Sequence, residues 1–188
     1  MNKLMLTIMS LAIWANAFGA DLSQPVVIDN LKTVYEISSS RGADPETMQA
    51  MLLRETKGGI SSMVGASHLP PEQRSYGLMQ VQLVAARSVL QRWPEISEVY
   101  FKGRKPSQGE LITKLTHDKE FNIDIASAHF VTYLNLSKGD WSKAVAAYNM
   151  GIGNANKITN HNRYEYVVWI RKTIDRVIKP FNDKNGLD

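Results

Sequence analysis

Glu55 stands where a carboxylate is hard to accommodate. In the stretch DPETMQAMLLRETKGG, residues 44–59, it follows Met48, Met51 and Leu52 by seven, four and three positions. In a helix those spacings place it on the apolar stripe that the three side chains define. A carboxylate desolvated by apolar neighbours has its pKa raised, because burial penalises the charged form. A glutamate kept protonated near neutral pH can donate a proton, as the general acid of a glycosidase must. An ion pair with Arg54, Lys57 or a distant arginine, or a side chain bent outward at the helix end, would equally account for the residue, so position alone leaves its chemistry open. Other chemistries find less support. The absence of cysteine excludes disulfides, thiolate metal sites and a cysteine nucleophile. His68, His117, His129 and His161 lack ligand-like spacing and read as surface or satisfied core residues, so neither metal nor cofactor is expected.

The elements that must position Glu55 are helical. Asp44 is suited to cap its helix and Pro45 to open it, and Gly58-Gly59 to close it in a left-handed turn. Before it, PVVIDNLKTVYEISSSRG carries an apolar stripe of Val27, Leu31, Val34 and Tyr35. After it, a polar loop over 60–74 contains Pro70-Pro71 and cannot be helical through them. YGLMQVQLVAARSVLQRW resumes helical spacing with Leu78, Val81, Ala85, Val89 and Leu90, and Pro94 is expected to stop it. Residues 95–117 are less periodic, with Gly103, Pro106 and Gly109 read as turns. DKEFNIDIASAHFVTYLNL reads as a long amphipathic helix ended by Gly139, and Asp140 caps WSKAVAAYNMG. A last helix is expected from about Arg163 to Ile178, stopped by Pro180. Sustained period-two alternation is missing, so any sheet is minor and the fold class is all-α.

The 188 residues suit one domain with a real core, and 44% hydrophobic with 21% charged residues is ordinary for a globular chain. Residues 1–20 stand apart: Lys3 precedes the apolar run LMLTIMSLAIWA and the small residues of ANAFGAD. This pattern is that of a secretory signal peptide cut between Ala17 and Ala20, since the run falls short of the ~20 residues of a membrane span. Its removal with Lys3 takes the formal charge from +4 to +3, a mild excess that suits an anionic polymer without arguing for one. The expected protein is thus residues 21–188, working in the periplasm or outside a bacterial cell, with no retained span.

Five segments in order carry a more specific signal: Glu55, YGLMQV at 76–81, FNIDIASAHFVTYL at 121–134, AVAAYNMGIG at 144–153 and YEYVVWI at 164–170. Together they resemble the soluble lytic transglycosylases of the goose-type lysozyme superfamily, whose pattern is E-S, G-L-M-Q, N-I-x-x-G-x-x-Y-L, A-Y-N-x-G and a final Y-V helix. The short length and export signal resemble the branch that accompanies secretion and conjugation machines. The resemblance implies a single lysozyme-like helical domain with a glycan-binding cleft, and Glu55 as the catalytic acid. It implies that Gly77, Met79 and Gln80 line the cleft, Met79 against a sugar. Tyr148 would sit close to the acid, Asn149 would hold the peptide-bearing sugar, and Tyr166 would offer a cleft-side hydroxyl. Asn122, in the N-I pair, would hold helices together. Trp93, Trp141 and Trp169 read as packing residues. Thr56 stands in the place of the usual serine, Ala126 in that of the glycine, and Asn162 in that of an acidic residue. The longer loop after Glu55 leaves open whether Ser61, Ser62, Ser67 or Ser75 faces the cleft.

The implied partner is the peptidoglycan glycan strand, together with components of a secretion or conjugation apparatus, and not nucleic acid. The implied reaction is non-hydrolytic cleavage of the MurNAc–GlcNAc bond to a 1,6-anhydro end, with one glutamate serving as acid and then base. Ordinary glycosidases need two carboxylates. A muramidase on the same fold would recruit Asp118 or Asp124 as the water-activating base, and a non-catalytic glycan-binding assembly subunit is a further alternative.

Overall fold

The computed structural model describes residues 20–187, so the signal peptide expected over 1–20 lies, but for Ala20, outside the described residues. Helix α1 (Pro25–Arg41) ends at Gly42 in the left-handed region, and α2 (Pro45–Thr56) follows after three residues. Asp44 caps α2 by accepting the Thr47 N–H at 3.0 Å. The left-handed stop begins one residue earlier than the glycines, at Lys57 (φ 54°), and runs on through Gly58 and Gly59. A three-stranded antiparallel sheet comes next, β1 (Val64–Gly65), β2 (Ser75–Tyr76) and β3 (Val81–Gln82), in that order. Val64 pairs with Tyr76, and Tyr76 with Val81.

The other helices are α3 (Leu83–Arg92), α4 (Pro94–Phe101), α5 (Gln108–His117), α6 (Lys119–Leu136), α7 (Trp141–Met150), α8 (Ile152–Ala155) and α9 (Glu165–Thr173). A π-helical segment (Ile174–Ile178) joins α9 to α10 (Lys179–Asn185). Helix α6 is the hub, packed against α1, α3, α5 and α7, while α9 packs on α2 and α7. Among the described residues no helix is long and apolar enough to cross a membrane.

Four expectations are corrected. Residues 76–82 are not helical although Leu78, Val81 and Ala85 keep helical spacing: Gly77 (φ 75°) and Gln80 (φ 49°) turn the chain back, and helix begins only at Leu83. Residues 95–117 hold two helices: Pro94 ends α3 as expected but also opens α4, and Gly109, read as a turn, lies inside α5 behind a Ser107–Glu110 capping box. Helix α6 is not amphipathic in its first half, since Phe121 through Ala128 are all buried, so its surroundings and not its stripe hold it. Pro180 does not stop the last helix. A proline removes a donor and crowds the carbonyl four residues back, and the wider π turn before Pro180 relieves both demands.

Candidate active site in the cleft beside Glu55

The turn over Tyr76–Gln80 is the frame of the site, and side chains from three helices hold its backbone. From α6, Asn122 donates to the Tyr76 carbonyl at 2.9 Å and accepts the Met79 N–H at 2.8 Å. From α2, the buried Thr56 hydroxyl donates to the Leu78 carbonyl at 2.9 Å. From α7, the Tyr148 hydroxyl donates to the Met79 carbonyl at 2.8 Å. Leu78 and Met79 lie outside the strands, and these bonds give their backbone groups partners, while the bond to Tyr76 ties the turn's first residue to α6. Thr56 follows Glu55 directly, so the bond to Leu78 fixes the last turn of α2 and with it the carboxylate.

Glu55 is partly buried, and its Oε1 accepts a 2.7 Å bond from the Tyr166 hydroxyl of α9. Burial raises its pKa above the usual 4.5; the Tyr166 bond and the Arg54 charge pull the other way with less effect. Among the described residues no cation pairs with the carboxylate. Arg54 turns instead to Glu165, 3.7 Å away, and lies 5.1 Å over the Trp169 ring. The ion-pair explanation of Glu55 therefore fails, and a desolvated, hydroxyl-bonded acid remains.

Glu55 belongs to the walls of two hollows. One is an open cleft of about 510 Å³ that Gln80, Tyr148 and Asn149 also line. The other is a polar recess of about 180 Å³ formed with Arg54, Asn149, Tyr164, Glu165 and Tyr166. Of the four loop serines left open by the sequence, Ser75 lines the cleft. Gln80 reaches it from a left-handed backbone, its amide also donating to the Gly77 carbonyl at 3.0 Å. Asn149 is exposed and accepts a 2.5 Å bond from the Tyr164 hydroxyl.

Two expected sugar contacts are corrected. Met79 is wholly buried, so its side chain packs in the core and only its carbonyl serves the site. Gly77 is buried as well and lines neither hollow; it is required because a Cβ there would lie 2.0 Å from the Leu115 carbonyl oxygen. Tyr166 bonds Glu55 directly, while Tyr148 braces the turn and feels the Glu55 charge. Asn162, in the place of the pattern's acid, ties α7 to α9 by accepting from Ser142 at 2.7 Å and Arg171 at 2.8 Å. Trp93, Trp141 and Trp169 lie under Arg41, Arg171 and Arg54 respectively and line neither hollow.

Neither aspartate weighed as a second carboxylate is near Glu55's hollows. Asp124 is locked by Arg41 through bonds of 2.7 and 2.8 Å, and Asp118 caps α6 while pairing with Lys114 at 2.7 Å. The sequence reading also missed His129 and Tyr133, which line the cleft from α6. A signal existed: with Ala126 in the glycine position, the tyrosine of the N-I-x-x-G-x-x-Y-L pattern falls on His129.

Tyr166→Phe is expected to raise the Glu55 pKa further, because the lost hydroxyl bond favoured the carboxylate. A carbon-detected NMR titration of the Glu55 carboxyl in both proteins checks this, and an unchanged or lowered midpoint would contradict the bond.

No protein-family model matches the chain, and no curated protein does. Among solved structures it is similar to the lytic transglycosylase Slt from Pseudomonas aeruginosa, an inactive glutamate-to-glutamine mutant, at TM-score 0.54 and 18% identity. The match covers 83% of this chain and 24% of that one, so the chain spans about a quarter of its length. The likeness establishes the fold: all-α and lysozyme-like.

Proposed function

We propose that this protein is a peptidoglycan lytic transglycosylase and that Glu55 is its catalytic residue. The observation that carries the reading is a carboxyl whose pKa burial raises, held by a tyrosine hydroxyl where a cleft of about 510 Å³ meets a polar recess. A cleft of that volume is the size of ordinary ligand sites. Glu55 gives its proton to the glycosidic oxygen as the bond from that oxygen to C1 of N-acetylmuramic acid breaks, and the N-acetylglucosamine side leaves as an alcohol. The substrate's acetamido oxygen stabilises C1. The Glu55 carboxylate then takes the proton of the muramyl 6-hydroxyl as O6 closes on C1, which restores the acid and leaves a 1,6-anhydro end. An intramolecular hydroxyl can outcompete water because effective molarities reach ~10⁵–10⁸ M. Tyr166 serves both halves, since its hydroxyl bond steadies the carboxylate formed between them.

The fold neighbour's title names a lytic transglycosylase, which supports this substrate class, and its inactive form carries the same exchange that tests Glu55. The expected setting is periplasmic or extracellular, after signal-peptide removal, and the proposal includes local wall opening for a secretion or conjugation apparatus.

A muramidase is the second reading, favoured by one observation: Glu165 shares the recess with Glu55. Its pairing with Arg54 and its 87% exposed side chain suit a solvated surface charge better than a base set to activate one water. Mass spectrometry of a peptidoglycan digest separates the two. Muropeptides ending in 1,6-anhydro-N-acetylmuramic acid are expected, and Glu165→Gln should still produce them. New reducing ends that vanish in Glu165→Gln would make the enzyme a hydrolase.

A further inference from the structure

His129 projects from α6 into the wall of the cleft, beside two aromatic rings. The Tyr133 ring lies 4.3 Å away at 54° and the Tyr148 ring 6.1 Å away at 56°. Tyr148 in turn braces the turn and senses the Glu55 charge, so the imidazole stands one ring from the acid. The two tyrosines restrict its rotation without occupying its nitrogens. Burial lowers its pKa to about 4, and none of the hydrogen bonds among the described residues involves its nitrogens. The nitrogens are not sealed either: among the described residues the Ser137 hydroxyl is the sole buried side-chain polar atom without a partner. A polar ring that is held in place, unpartnered and open to a cleft is positioned to bond whatever enters that cleft.

We infer that His129 is a glycan-contacting residue, its imidazole exchanging a hydrogen bond with an uncharged sugar substituent, an acetamido or a hydroxyl group. The inference rests on the functional reading above and extends it to a residue that the motif pattern fills with tyrosine. A neutral imidazole carries one donor and one acceptor, which matches an amide or a hydroxyl and offers no ionic attraction to an anion. Bonding to sugar replaces bonding to water, so the net gain is that of one hydrogen bond, a modest affinity effect.

The test is isothermal calorimetry of tetra-N-acetylchitotetraose and of cellotetraose, which lacks acetamido groups, with the full chain carrying Glu55→Gln to prevent turnover. Adding His129→Phe keeps a ring and removes both nitrogens, and should weaken chitotetraose binding about 3–10-fold. Adding His129→Gln instead, which keeps a donor and an acceptor, should restore most of that loss. A loss confined to the acetylated ligand assigns the acetamido group, and an equal loss with cellotetraose assigns a hydroxyl. Urea unfolding of each variant separates lost binding from lost folding. Unchanged chitotetraose affinity in a folded His129→Phe chain would overturn this inference and leave the reaction standing. Failure of the parent to bind either oligosaccharide would overturn this inference, and the peptidoglycan digest would then decide the reaction by itself. Binding that depends on His129 while Glu55→Gln still cleaves peptidoglycan would keep the inference and move the catalytic acid elsewhere.

Discussion

Glu55→Gln is expected to lower peptidoglycan cleavage in a zymogram or soluble-muropeptide assay by at least ~100-fold while the chain folds normally. General acid catalysis alone contributes ~10²–10⁴-fold, and here the same group is needed again as base. Glutamine fills the same volume and its carbonyl oxygen can still accept the Tyr166 hydroxyl, so the substitution removes the transferable proton and little else. The stability of the variant provides an independent check. The folded-state pKa of Glu55 is raised, so its contribution is fully favourable below the usual 4.5 and is lost as pH climbs through the raised value. Glutamine never ionises and escapes that loss. Thermal unfolding should therefore find Glu55→Gln more stable than the parent at neutral pH, with the gap closing below 4.5. A variant with more than about a tenth of parental activity would place the acid elsewhere. One that is less stable at neutral pH would contradict the desolvated carboxylate. A parent with no activity but retained glycan binding would leave the binding-subunit reading in possession.

The second large effect is structural. Gly77→Ala should destabilise the chain by about 3 kcal/mol or more, for two reasons that add. A left-handed backbone at φ 75° strains any residue with a Cβ by ~1–3 kcal/mol. The new methyl would also lie 2.0 Å from the Leu115 carbonyl oxygen and 2.3 Å from the Asn122 amide nitrogen, the group that clamps the turn. A backbone carbonyl cannot swing aside as a flexible side chain would, so the turn must move, and Asn122, Thr56 and Tyr148 lose their geometry together. For a chain of this size the cost corresponds to a midpoint lowered by roughly 6–12 °C in calorimetry. Gly139→Ala provides the contrast: its φ of 82° is strained too, but a Cβ there meets nothing within 4 Å. Equal losses at both glycines would mean that strain alone, not the packed turn, makes Gly77 necessary.

The sequence by itself determined the helical class and the starts of the helices that carry strong caps, because caps and apolar stripes act over one or two turns. Asp44 before Pro45 and Asp140 before Trp141 name their helix starts wherever the rest of the chain goes. It also determined that Glu55 shares a face with Met48, Met51 and Leu52, all of which are fully buried. Periodicity misled where long-range bonds outweigh local spacing. Leu78, Val81 and Ala85 fit a helix, yet Asn122, over forty residues on, secures a turn that no window around residue 78 contains. Only the tertiary structure decided which tyrosine holds the acid, since Tyr148 and Tyr166 differ not in type but in what stands opposite them when α7 and α9 pack on α2. It decided likewise that Met79 faces inward and His129 faces the cleft. A strong cap or a stripe is a property of neighbours in the chain, whereas the exposure of one side chain and the partner of one hydroxyl depend on segments brought together from afar.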